Sequence, residues 1–113
     1  MRKKIHSYLG FAVKAGKVVM GYNQCEMAIA RGKIKLVIIT NDVAENTKKK
    51  FAKIAKDNKV PIYVYGDSEE ISLFCGSEMK NVFGIADKQF ALVIEKEIQK
   101  EINETGGVLI DEQ

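Results

Sequence analysis

The stretch Arg31-Gly32-Lys33-Ile34-Lys35-Leu36-Val37-Ile38-Ile39-Thr40-Asn41-Asp42 decides how this chain folds. Leu36 to Ile39 is an unbroken β-rich apolar run, the pattern of a strand covered on both faces, and so of a central strand in a layered α/β fold. Thr40-Asn41-Asp42 then reads as a polar turn, and Gly32 as the stop of a preceding helix.

Working outward toward the N-terminus, Tyr22 to Arg31 places Cys25, Ala28 and Ile29 on one helical face. Before it, Val18 to Met20 reads as a short strand. Lys3 to Lys14 sets Ile5, Tyr8, Leu9, Ala12 and Val13 at helical spacing and stops at Ala15-Gly16. Toward the C-terminus, Glu45 to Asn58 is an amphipathic helix with Phe51, Ile54 and Ala55 inward and its lysines outward. Val60 to Tyr65 is the next strand, with Pro61 tolerable among its first residues. Gly66 to Glu70 supplies a turn and an acidic helix start before Ile71, Leu73, Phe74 and Cys75, and Gly76 ends that helix. Asn81 to Ala86 reads as the last strand, and Lys88 to Asn103 as a helix with Phe90, Val93, Ile94 and Ile98 along one stripe. Strands alternating with helices through the whole length predict a three-layer α/β/α sandwich around a mixed four-stranded sheet. No linker or repeat divides the 113 residues, so one domain over 1–104 is expected, followed by a loosely held tail at 105–113.

Composition excludes several classes. No apolar run approaches the roughly 18 residues a membrane span needs, and the basic start Met1-Arg2-Lys3-Lys4 leads into no cleavage site, so a cytoplasmic protein is expected. Cys25 and Cys75 lie fifty positions apart with His6 the only histidine, which supports neither a metal site nor a redox pair; both thiols read as inert core residues, and His6 as a surface residue of the first helix. The chain has no Gly-x-Gly-x-x-Gly after a strand, no Walker loop and no nucleophile beside a base. No catalytic residues, no cofactor and no enzymatic activity are therefore expected.

Charge is distributed unevenly. Residues 1–56 carry 13 Lys and Arg against 3 acids, a balance of +10, whereas residues 57–113 carry 5 Lys against 12 acids, a balance of −7. The helix opened by Gly21-Tyr22-Asn23-Gln24 sits in the basic half. A helix start offers unpaired N–H groups and partial positive charge to an anion, and the Asn23 and Gln24 amides can both donate to and accept from base edges. Gly21 would let a polyanion's backbone come close. Lys14, Lys17, Arg31, Lys33 and Lys35 are near enough in sequence to surround that point with positive charge. The plainer alternative makes Gly21 a strand-to-helix turn, Asn23 a cap, Gln24 merely exposed and Met27 a core residue.

These pieces together resemble the superfamily of kink-turn-binding ribosomal proteins of the L-seven-Ae and L-thirty-e type, most closely its small bacterial YlxQ-like members. The likeness runs from about Leu9 to Leu92. It rests on Leu9-Gly10-Phe11-Ala12-Val13-Lys14-Ala15-Gly16-Lys17, Gly21-x-Asn23, Arg31 to Ile39, Glu45-Asn46-Thr47-Lys48-Lys49, Val60-Pro61 and Cys75-Gly76. The resemblance implies an α/β/α sandwich and binding of structured RNA, ribosomal RNA being the natural candidate, by a monomer with no DNA or membrane partner. In RNA-binding relatives the helix start reads Gly-x-Asn-Glu with a lysine three positions further on. Here Gly21 and Asn23 match, Gln24 replaces the glutamate and Met27 stands in the lysine position. The family's RNA-cradling loop corresponds to Ser77 to Val82, where Glu78 would repel phosphate while Lys80, Asn81 and Val82 could contribute. The expected RNA-binding set is thus Lys14, Lys17, Gly21, Asn23, Gln24, Arg31, Lys33, Lys80, Asn81 and Val82. A second reading is a protein-interaction module of the same fold that has lost RNA binding, its acidic second half meeting a basic partner.

Overall fold

The computed structural model describes residues 4–105; the loosely held tail expected from 105 onward lies, but for Thr105, outside the described residues. The elements follow in the order α1 (Lys4–Lys14), β1 (Val18–Met20), α2 (Tyr22–Ala30), β2 (Leu36–Ile39), α3 (Glu45–Asp57), β3 (Ile62–Val64), α4 (Ser68–Cys75), β4 (Val82–Ile85) and α5 (Lys88–Thr105). The strands lie in the order β1-β4-β2-β3. β2 runs parallel to β3 and antiparallel to β4, which is also antiparallel to β1, so the sheet is mixed. β2 is interior, and all four of its residues are fully buried, as its continuous apolar run requires.

Alternation along the strands sorts the core into two layers. Leu36 and Ile38 of β2 and Phe83 and Ile85 of β4 face Ile5 and Leu9 of α1, Ile71 and Cys75 of α4, and Ala91, Ile94 and Ile98 of α5. Val37 and Ile39, with Ile62 and Val82, face Cys25, Ala28 and Ile29 of α2 and Phe51 and Ala55 of α3. Helices therefore cover both faces of the sheet. Gly84 sits on the second face because Ile34 occupies the space above it: a Cβ there would lie 2.9 Å from Ile34 Cδ1.

Two expectations are corrected. His6 is buried, its ring stacked on Phe74 at 3.9 Å and its Nε2 3.2 Å from Glu70, so α4 supplies the partners that take it out of solvent. Val93 is 37% exposed beside Leu92, since α5 turns only its Ala91–Ile94–Ile98 stripe to the sheet. Both cysteines are free and buried, and burial pushes the Cys25 thiol up to about 12 and the Cys75 thiol up to about 11.

Candidate functional site

The β1-to-α2 connection is a single residue, Gly21, and its backbone explains why it is glycine. At φ 102° and ψ 160° it occupies a region closed to side chains, while its N–H donates to the Val82 carbonyl at 2.9 Å and ties the start of α2 to β4. Gly21 is buried, and this chain's own Lys80 lies beside it, its Nζ 3.7 Å from where a Cβ would be. A lysine ammonium therefore stands beside the helix start.

No side chain caps α2, so the first-turn N–H groups point outward without intrahelical partners. Asn23 and Gln24 are exposed, and among the described residues neither side chain makes a hydrogen bond. Met27, one turn further on, is 50% exposed, not the core residue of the plainer alternative. Tyr22 is anchored edge-on to Phe51 at 5.2 Å, with the Lys50 ammonium 4.7 Å from its ring centre and 3.1 Å from Glu26. These contacts fix α2 against α3.

A depression of about 400 Å³ opens beside this helix start, lined by Gly21 and Tyr22, by Val43, Ala44 and Thr47, and by Met79 to Val82. Three segments therefore meet at one end of the sheet. The α4–β4 loop is held there by backbone: Lys80 N–H donates to Ser72 Oγ at 2.9 Å, and the Asn81 carbonyl accepts from Thr40 N–H at 3.0 Å. Val82 contributes only main chain, its side chain being core. The start of α3 is the part that the sequence reading missed. Its N-cap is Ala44, with no side-chain cap, so a second open helix start faces the same depression. The available signal was an alanine in the position where Ser, Thr, Asp or Asn normally stands. α4, which begins at this end too, is by contrast filled: Asp67 accepts from Glu70 N–H at 2.7 Å, and Asp42 accepts from the Ser68 N–H and hydroxyl.

The expected set divides in two. Gly21, Asn23, Gln24, Lys80, Asn81 and Val82 lie together at the end of the sheet where β1 leaves and α2 begins. Lys14, Lys17, Arg31 and Lys33, with Lys35, lie at the opposite end: Lys17 O accepts from Ala86 N–H at 2.8 Å, and Lys35 N–H donates to Ile85 O at 2.7 Å, both at the far end of β4. Arg31 is the C-cap of α2, about 15 Å along the helix from Gly21. These cations do not surround the helix start, because a strand and a helix each separate residues before and after them by their full lengths.

With this fold and geometry, the chain belongs to the ribosomal protein L7Ae/L30e/S12e/Gadd45 family, whose pattern matches residues 3–94. It is similar to the RNA-binding protein YlxQ of Enterococcus faecium, 37% identical over 90 residues that cover 80% of this chain and 86% of that one. It is also similar to the large ribosomal subunit protein eL30 of Sulfolobus acidocaldarius, 27% identical over 104 residues, 88% of this chain and 100% of that one. Among solved structures, a protein of unknown function from Bacillus halodurans superposes with a TM-score of 0.84 at 28% identity, covering 87% of this chain and 99% of that one. The 15.5kD RNA-binding protein of Giardia lamblia superposes at 0.71 with 18% identity, covering 88% and 89%, a likeness of fold alone. Among the described residues no helix is long and apolar enough to cross a membrane.

Proposed function

We propose that this protein is a small, non-catalytic RNA-binding protein of the cytoplasm that seats a structured RNA, kink-turn-like or ribosomal, on the depression between the starts of α2 and α3. One chain supplies all three lining segments, so the seat needs no partner subunit. The observation that carries the reading is the pair of uncapped helix starts facing one depression with the Asn23 and Gln24 amides exposed beside it. Unpaired N–H groups and the positive ends of two helix dipoles favour phosphate, Lys80 adds a full charge, and the two amides can read base edges. The relatives named for RNA binding and for the large ribosomal subunit agree with this use of the fold.

Gln24 keeps a carbonyl acceptor for a guanine edge without the charge assistance of a glutamate, so specificity is expected to rest on geometry more than on bond strength. The test is a gel-shift series on a kink-turn hairpin. Asn23→Ala with Gln24→Ala should weaken binding by roughly tenfold or more, in keeping with about 1–3 kcal/mol per lost base contact, while the melting temperature stays unchanged. Met27→Lys, which places a cation on the same helix face, should strengthen it. Unchanged affinity in the double variant would refute this site.

A further inference from the structure

The cations that the fold carries away from the α2 start form a surface of their own. Lys17 immediately precedes β1, Lys35 immediately precedes β2, and both are hydrogen-bonded through their main chains to the end of β4 that lies between those strands. Neighbouring strands are about 4.8 Å apart, which sets the Lys17 and Lys35 backbones about 10 Å from one another. Lys59 precedes β3, the next strand over, and lines a depression of about 200 Å³ together with Lys35, Gly32 and Asn58. Lys14, Arg31 and Lys33 extend this row from the ends of α1 and α2. All six are exposed, and among the described residues none is in an ion pair. The acids nearby are engaged: Asp57 pairs with Lys53 at 3.1 Å, and Asp87 accepts from Phe90 N–H at 2.9 Å.

Cations at helix C-termini commonly complement the helix dipole, and Lys14 in the last turn of α1 fits that role. Lys17 and Lys33 close the ends of α1 and α2 through their main-chain N–H groups, which donate to Ala12 O and Ala28 O, whereas Lys35 lies beyond, directly before β2. Lys59 lies beyond the last turn of α3 as well. It is the only non-glycine among the described residues with positive φ, at 58°, the left-handed position that closes α3, where Val60 N–H donates to Ala55 O at 2.8 Å, and its side chain is left exposed.

We propose that this end of the sheet is a second, sequence-independent surface for the phosphate backbone of RNA, separate from the α2–α3 depression. It goes beyond the folded-RNA reading and stands or falls apart from it. One molecule could then hold a folded element at one end and a second RNA segment at the other. Charge complementarity selects the occupant: a row of exposed, unpaired lysines and an arginine suits a phosphate backbone, which it can hold without reading sequence.

The test uses the full chain and a blunt RNA duplex of about 20 base pairs without a kink, followed by fluorescence anisotropy between about 50 and 200 mM salt. The triple variant Lys17→Gln, Lys35→Gln, Lys59→Gly should bind the duplex at least tenfold more weakly, with a log–log salt slope smaller by about two to three. The control Lys96→Gln, Lys100→Gln on α5 should match the wild type. Lys59→Gly alone relieves backbone strain, so its weakened binding cannot be ascribed to unfolding. Duplex binding that is unaffected by the triple variant, or lost equally in the control, overturns the proposal, as does binding of phosphatidylserine vesicles but not of duplex through these lysines. Because the duplex has no kink, failure at Asn23 and Gln24 leaves this result untouched, and the reverse holds as well.

Discussion

Gly21 concentrates the local physics of the site in one residue. Its positive φ lets β1 turn into α2 without a loop, which leaves the helix start bare and directly beside Lys80. Gly21→Ala is expected to cost about 1–3 kcal/mol of stability from backbone strain, since a methyl there would meet Lys80 only at ordinary contact distance. Thermal or urea denaturation measures this directly, and a loss below about 0.5 kcal/mol would show that the connection relaxes. Residue-scale reading of the sequence placed Gly21, Asn23 and Gln24 at the turn from β1 into α2 because a strand-to-helix junction is a local event. It missed the burial of His6, whose partners Glu70 and Phe74 belong to α4, far along the chain. Periodicity reports which face of a helix a residue occupies and carries no information about a polar partner brought by another element.

At the scale of elements, the contrast among helix starts is the main feature. α2 and α3 are open, whereas α4 is closed by two carboxylates of the chain itself. The Ser68 hydroxyl, which donates to it together with the Ser68 N–H, holds the Asp42 carboxyl below its ordinary value. In the folded state Asp42 stays ionised at pH values where the unfolded chain has begun to bind a proton, so its contribution is complete above the ordinary carboxylate range and lost as pH falls through the depressed value. Asp42→Asn should therefore be less stable than the wild type at neutral pH, with the gap narrowing as pH drops from about 5 toward 3. Urea melts across that range measure it, and a constant gap would mean that Asp42 acts through packing alone. Helix and strand order was legible in the sequence because apolar spacing changes period from element to element. The strands proved shorter than read: Val60 and Pro61 precede β3, although the Pro61 carbonyl still accepts from Val37 N–H at 2.9 Å.

For the whole molecule, the decisive relation is that the two ends of the sheet have different chemistry. One carries open helix starts and amides with Lys80; the other carries a row of unpaired cations. The sequence displayed the charge excess of its first half but not where it goes. Lys17 is four residues from Gly21, yet a strand lies between them, and Arg31 is ten residues away at the far end of α2. Strand-then-helix geometry places residues before the strand and after the helix at the same far end, so this division was readable in principle. The missed start of α3 needed the fold, since it joins the depression only after β2 and β4 pair.

The central claim is that folded RNA seats on the starts of α2 and α3, and amide chemical-shift mapping of the labelled protein with a kink-turn hairpin tests it most directly. The expected result is that the largest shifts fall on Tyr22 to Gln24, Val43 to Thr47, and Met79 to Asn81. Shifts confined to the outer faces of α1, α4 and α5, or none at saturating RNA, would contradict it.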